Sequence, residues 1–402
     1  MDDACRDAQF ATRAVHAGER MPRPNFVPVS TPIHPSVGYL YDDMGDLDAI
    51  FGGQRSGYVY MRYGNPTVAA FERAIAALEE GEEALAFGSG MAAIHAALLG
   101  LGVRVGSAAV VARDVYGATY TLFSKLLASQ GVTVRFVDIS NVREVEAACA
   151  DLGPVVLFVE TISNPLLKVA DIPTLARVAH VHGAALVVDN TFATPYLCRP
   201  LTEGADLVLH SATKYIGGHG DAMGGVVVTS AERREAIYEV LKISGGNLGP
   251  QEAWLLLRGV KTLPLRMRQH CANALQVANG LVRTGKISRV IYPGRHDHPQ
   301  HSLATRLFGG QGYGGMVSFE LRDGDQARVF RFFEGLKLCL PATTLGDVYS
   351  LVLYPAHSSH RALTAEERTA VGIGDGLVRM SVGIEAGEDI LADVKQALET
   401  IS

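Results

Sequence analysis

The chain has 402 residues, 48% of them hydrophobic and 19% charged, with a formal net charge of −6. This is globular composition, long enough for two cores, and it excludes a disordered or fibrous protein. With no Lys/Arg-rich block to neutralise a row of phosphates, it also excludes a generic nucleic-acid binder.

The N-terminus, MDDACRDAQF, is acidic where a signal peptide is basic and then apolar, so no export is expected. Residues 1–63 carry many prolines and glycines, as in MPRPNFVPVSTPIHPS, and little periodicity. They are expected to form an extended arm lying on another surface, either their own domain or a neighbouring subunit. Residues 64–256 alternate near-continuously apolar runs (EALAFG, AAVVAR, VTVRFVD, VVLFVE, ALVVDN, DLVLHS, GGVVVTS) with helical spacing over 92–99, 119–129, 142–150 and 172–182. Strand, helix, strand repeated in this way predicts an α/β domain whose mostly parallel, seven-stranded sheet is buried on both faces. The most apolar stretch, 91–112, is broken by His95, Arg104 and three glycines, so it reads as helix, turn and strand and not as a membrane span.

SGGNLGP (244–250) reads as a hinge, followed by a long helical stretch over 251–284. Residues 257–402 then form a smaller α+β C-terminal domain with strands in SRVIYPG, GGMVSFEL and LVRMSVGI. Five scattered cysteines (Cys5, Cys149, Cys198, Cys271, Cys339) include no Cys-x-x-Cys pair, which suggests a reducing, cytoplasmic setting. HDHPQH (296–301) lacks helical spacing and a thiolate, so no metal site is expected there, and His357 and His360 are expected to be structural.

In α/β sheets ligands sit at the carboxyl ends of the strands. Those ends hold Gly88-Ser89-Gly90-Met91, Tyr116, Glu160 with Asn164, Asp189, and Ser211-Ala212-Thr213-Lys214. FGSGMAAIHAAL is a small-residue turn opening into a helix, either an anion site or a simple tight turn. Asp189 ends an apolar run, either as a desolvated acid meeting a cation or as the cap of the next turn. Lys214 is either a surface lysine or a desolvated amine of the kind that condenses with carbonyls. Ser211 and Thr213 alternate on an extended segment, which turns both hydroxyls to one side. Phosphate, carbonyl and ring cation are three features of one molecule, pyridoxal 5'-phosphate (PLP), whose ring is an electron sink while Asp189 keeps its nitrogen protonated. Tyr116 is placed to stack on that ring. A nicotinamide-dependent oxidoreductase would need the absent third glycine of a dinucleotide fingerprint, and a non-catalytic PLP carrier would not need a complete catalytic set.

SATKYIGGHGDAMGG, with VVDNTFATPYLCRPL, VYGATY, ETISNPLLKV, FGSGMAAI and YMRYGNPT, resembles the PLP-dependent Cys/Met metabolism (transsulfuration) enzymes from His16 to the C-terminus. The resemblance implies an aspartate aminotransferase-like fold (PLP fold type I), usually a homotetramer built as a dimer of catalytic dimers. It implies that Lys214 is the Schiff-base lysine and proton shuttle, and that Tyr116 aids proton transfer at the leaving group. Asp189 then partners the ring nitrogen, Gly90, Met91, Ser211 and Thr213 hold the phosphate, and Asn164 lies near the phenolic oxygen. Tyr60 and Arg62 would reach the phosphate of the neighbouring subunit. Arg379 would bind the substrate carboxylate, and Thr344 stands where serine is common. Ala118 replaces a cysteine frequent in methionine γ-lyases, and Tyr349 stands where other members carry Glu or Lys. The form GHGDAMGG is similar to γ-lyases, so the expected activity is γ-elimination from methionine or cystathionine. The alternative is γ-replacement, as in cystathionine γ-synthase or an O-acylhomoserine sulfhydrylase.

Overall fold

The computed structural model describes residues 8–18, 27–358, 361, 364, 366, 368 and 372–401. Cys5 and His360 lie outside them. The N-terminal arm is not featureless, since α1 (Phe10–His16) and α2 (Met44–Phe51) form within it. Ala14 and Ala17, in and after α1, pack into one cluster with the apolar face of α3 (Pro66–Glu79), whereas α2 buries none of its residues. The start of α3 is set by Asn65, whose side chain accepts from the N–H groups of Thr67 (2.9 Å) and Val68 (3.3 Å), and by Pro66, which needs no donor in the first turn.

Seven strands follow: β1 (Glu83–Phe87), β2 (Ala108–Ala112), β3 (Thr133–Val137), β4 (Val156–Glu160), β5 (Ala185–Asp189), β6 (Leu207–Ser211) and β7 (Gly225–Thr229). They form one sheet in the order β1-β7-β6-β5-β4-β2-β3. Strands β2 to β6 are parallel, and β7 runs antiparallel to both β6 and β1. Between the strands lie α4 (Gly90–Gly100), α5 (Gly117–Thr121), α6 (Val142–Leu152), α7 (Ile172–Val181), α8 (Thr194–Leu197) and α9 (Ala231–Ser244). All five residues of β4 are buried, as the unbroken run VLFVE requires of a central strand.

Three local departures from the sequence expectation have physical causes. The run VTVRFVD is not buried on both faces, because β3 is the sheet edge, and its Arg135 reaches solvent to pair with Asp151 (2.8 Å). The helix expected over 119–129 begins as α5 and widens to a π-helical segment at Leu122–Leu127, which turns Leu122, Phe123 and Leu127 into the core. The stretch 251–284 is two helices, α10 (Pro250–Val260) and α11 (Leu263–Val282), because Pro264 cannot continue the first and suits the first turn of the second.

The second sheet holds β8 (Ile287–Ile291), β9 (Met316–Leu321), β10 (Leu340–Pro341), β11 (Leu351–Leu353) and β12 (Leu377–Ser381) in the order β10-β11-β12-β9-β8. With them come α12 (His301–Leu307), α13 (Gln326–Gly335) and α14 (Gly387–Glu399), and Phe319, Phe332, Val378 and Val394 share its core. Strands β10 and β11 went unexpected because two or three residues cannot display a period. Among the described residues no helix is long and apolar enough to cross a membrane, and no group of three or more His, Cys, Asp or Glu is placed to hold a metal ion. His301 stacks on Tyr313 (5.4 Å) and contacts the Pro293 carbonyl (2.8 Å), while His357 stacks on Tyr354 (4.9 Å).

Candidate active site

Parallel strands deliver their carboxyl ends to one side of a sheet, and the residues leaving β2, β4, β5 and β6 do converge there. Tyr116, Glu160, Asn164, Asp189, Ser211, Thr213 and Lys214 line one cavity of about 500 Å³, closed on the far side by Arg379 of β12 and by Thr343 and Leu345.

One end of the cavity is a cradle for an anion. Ser89 caps α4, its hydroxyl accepting from the Ala92 N–H (3.1 Å), and the first turn closes with Ala93 N–H to the Ser89 carbonyl (3.1 Å). The N–H groups of Gly90 and Met91 precede that bond, at the positive end of the helix. Backbone approach is close here: a Cβ on Gly90 would stand 3.0 Å from Ser211 Cβ, and one on Gly225 only 2.2 Å from the Ser89 carbonyl oxygen. Ser211 and Thr213 share the cavity, but not by alternating along a strand. The chain turns straight after Ser211, with Lys214 N–H donating to the Ser211 carbonyl (3.1 Å) and Gly217 N–H to Ala212 (2.8 Å). Thr213 therefore sits in a turn, its hydroxyl donating to the Gly224 carbonyl (3.2 Å) and accepting from the Gly224 N–H (3.0 Å).

Asp189 forms the cavity floor. Its Oδ1 accepts from the N–H (3.0 Å) and hydroxyl (2.5 Å) of Thr191, so it does cap the following turn, while among the described residues Oδ2 has no partner. Burial holds the carboxyl above its usual range, opposed by the two Thr191 bonds and by His210. The Thr191 hydroxyl also accepts from Ser211 N–H (2.9 Å), which ties the acid to the anion cradle.

Lys214 Nζ donates to Thr344 Oγ1 (2.9 Å). Burial and then the nearby Arg379 charge push its pKa down to about 8. Arg379, 3% exposed, donates to Asn164 Oδ1 (3.1 Å) and the Thr344 carbonyl (3.3 Å), and its buried Nε has no partner. Burial lowers it to about 10, so it stays cationic at neutral pH. Tyr116 caps α5 from the cavity mouth, its backbone N–H donating to Glu160 Oε1 (2.6 Å).

Tyr60 and Arg62 do not join this cavity within their own chain. The Arg62 guanidinium lies over the Tyr63 ring (4.8 Å to the centroid) and donates to the Lys242 carbonyl. Ala118 and Tyr349 are also absent from the lining. Sequence reading passed over Thr191, Phe192, Met223 and Leu353, all of which line the cavity. Thr191 was within reach, because it follows a strand end by two residues as Thr213 does.

This donor set fits PLP. An anion cradle with no room for a Cβ at Gly225, a half-buried carboxylate with one oxygen left over by Thr191 and a desolvated amine match its phosphate, ring nitrogen and aldehyde. A family model for Cys/Met metabolism PLP-dependent enzymes matches residues 11–399. The chain is 44% identical to L-methionine gamma-lyase of Fusobacterium nucleatum subsp. polymorphum, with 98% of each covered. It is 47% identical to cystathionine gamma-lyase of Bacillus subtilis, with 87% of this chain and 90% of that one covered. Cystathionine beta-lyase of Lactococcus lactis and O-succinylhomoserine sulfhydrylase of Pseudomonas aeruginosa match at 43% and 41%. The crystal structure of cystathionine gamma-lyase from Lactobacillus plantarum complexed with L-serine superposes with a TM-score of 0.91 at 38% identity, over 98% of this chain and 99% of that one. The match spans nearly the whole chain and the cavity holds the donors the cofactor needs: the chain belongs to the Cys/Met metabolism PLP-dependent enzyme family.

Proposed function

We propose that the chain is a cytoplasmic γ-lyase that acts on methionine or cystathionine and releases 2-oxobutanoate, ammonia and a thiol. The observation that carries this reading is that Lys214 Nζ and the Arg379 guanidinium face one cavity and are joined through Thr344. Bound PLP supplies an electron sink that acidifies protons on the substrate carbons next to the amino group. Arg379 takes the substrate carboxylate as a planar fork, held flat by Asn164 and Thr344. That grip presents the α carbon to the Lys214 amine, whose depressed pKa leaves more of it neutral and able to move a proton near pH 7.

Gly90, Met91, Ser211 and Thr213 hold the phosphate in this reading, and Asp189 holds the ring nitrogen. Tyr116 stacks on the ring and serves proton transfer at the departing sulfur. The lining also holds the apolar side chains of Ile94, Phe192, Met223, Leu345 and Leu353, which suit an uncharged thioether chain. The arm is assigned to a neighbouring subunit in a tetramer of catalytic dimers, with Tyr60 and Arg62 on that subunit's phosphate. Supporting this, Leu40, Val29 and Met44 on the arm are 101%, 85% and 70% exposed. The cytoplasmic setting is supported by the cysteines among the described residues, Cys149, Cys198, Cys271 and Cys339, all buried free thiols.

Ammonia and 2-oxo acid release from methionine, cystathionine, cysteine and O-acetylhomoserine tests the assignment. Release from methionine or cystathionine is expected. Formation of a thioether from an acylated homoserine and a thiol, without ammonia, would assign γ-replacement instead.

A further inference from the structure

Glu160 and Asp189 end neighbouring parallel strands and are register partners, β4 to β5. Both line the cavity, and Glu160 is only 5% exposed. Two carboxyl groups one strand spacing apart, about 5 Å, in a desolvated cavity do not both ionise cheaply. Their surroundings separate them. Each accepts two bonds, Asp189 from the N–H and hydroxyl of Thr191 and Glu160 from backbone N–H groups alone, and only Asp189 has His210 favouring its ionised form. The charges next to Glu160 are Asp189 and Asp114, the latter paired with Lys168 (2.7 Å), while the cations Lys214 and Arg379 stand elsewhere on the lining. Burial first, and the Asp189 charge second, push Glu160 well above the carboxylate range.

Glu160 also joins two loops. Its Oε1 accepts from Tyr116 N–H (2.6 Å), the Asn164 N–H faces the same carboxyl, and the Asn164 side chain holds Arg379 (3.1 Å). We propose that Glu160 is a positioning residue, a neutral acid that ties the Tyr116 loop to the Asn164 loop and leaves Asp189 as the ionised carboxylate of the cavity lining. This rests on the roles given above to Asp189, Tyr116 and Arg379. Its consequence is that the residue over the ring and the residue on the substrate carboxylate share one anchor.

Glu160→Gln keeps a carbonyl acceptor and removes the titrating proton, whereas Glu160→Ala removes both. In the holoenzyme, Glu160→Ala is expected to lower kcat about 100-fold, the scale of a small misplacement of reacting groups. It should also speed hydrogen exchange at the Tyr116 amide, in cofactor-free protein as well. Glu160→Gln should recover most of the kcat loss and restore the protected amide. Infrared spectra at neutral pH should show a protonated-carboxyl stretch in the unsubstituted protein that Glu160→Gln deletes. If that stretch is absent or survives Glu160→Gln, or if Glu160→Gln is as impaired as Glu160→Ala, the proposal is overturned. The infrared comparison decides even if Glu160→Ala does not fold. A Lys214→Ala variant that still turned over would sink the functional reading and leave this infrared result standing.

Discussion

Lys214 grips its proton less tightly than a lysine in water because its amine is buried and faces Arg379. The neutral amine is the nucleophile, so recombination of cofactor-free protein with PLP should accelerate with pH around a midpoint of about 8. A midpoint at the ordinary lysine value near 10.5 would contradict the burial argument. The sign for stability is the same. The unfolded chain holds this proton up to about 10.5 and the folded chain only to about 8, so the cost of burying Lys214 is greatest below pH 8 and is relieved between those values. Lys214→Ala should bind the phosphate and lose turnover, read as steady-state ammonia release. Lys214 and Asp189 were legible as residues because each follows an unbroken apolar run. Arg379 was reached only through resemblance: it stands 215 residues from its partner Asn164, and no local pattern joins them. The bond from Glu160 to Tyr116 spans 44 residues and depends on which strands are neighbours, which composition and period do not state.

Elements meet at two places where a single change should be felt. At the start of β7, a Gly225→Ala methyl would press on the Ser89 carbonyl. The expected cost is about 1–3 kcal/mol of stability with weaker PLP retention, measured by thermal unfolding and by dialysis against phosphate buffer. Wild-type retention would show that the cradle is looser than drawn. Beneath the site, Glu79 at the end of α3 meets His210 of β6 at 2.6 Å, both 0% exposed, and Asn190 after β5 donates to the same Glu79 oxygen at 2.9 Å. Removing one partner strands the other in the core, so Glu79→Ala should cost about 3–5 kcal/mol in urea unfolding. A loss below about 1 kcal/mol would fit an exposed pair instead. The inner strands of the large sheet were legible because burial on both faces writes long apolar runs, and the edge strand β3 because its β-branched and aromatic residues alternate with solvent-facing ones. The turn at Thr213 was not, because it closes through backbone bonds from Lys214 N–H to Ser211 and from Gly217 N–H to Ala212, which the alternation of side chains does not report.

At the scale of the whole molecule, the arm and the cavity belong to one account. A single chain leaves Arg62 outside its own cavity, resting on the Lys242 carbonyl and the Tyr63 ring, and leaves Val29, Leu40 and Met44 of the arm exposed. Arg62→Ala should therefore speed PLP loss although Arg62 does not line the cavity of its own chain. Co-refolded Arg62→Ala and Lys214→Ala chains should recover activity that neither has alone at limiting PLP, since a mixed dimer contains one intact site. No recovery would confine each site to one chain. An α/β architecture with a second, smaller sheet was legible from alternation and length, whereas a neighbouring subunit's part in the site leaves no periodic trace and is proposed from the resemblance at Tyr60 and Arg62 and from the proline-rich arm. Beneath all of these lies the assignment of one amine to one cofactor. Peptide mapping by mass spectrometry of borohydride-reduced holoenzyme tests it most directly: the account predicts a phosphopyridoxyl group on Lys214, and its recovery on another side chain, or on none, would contradict it.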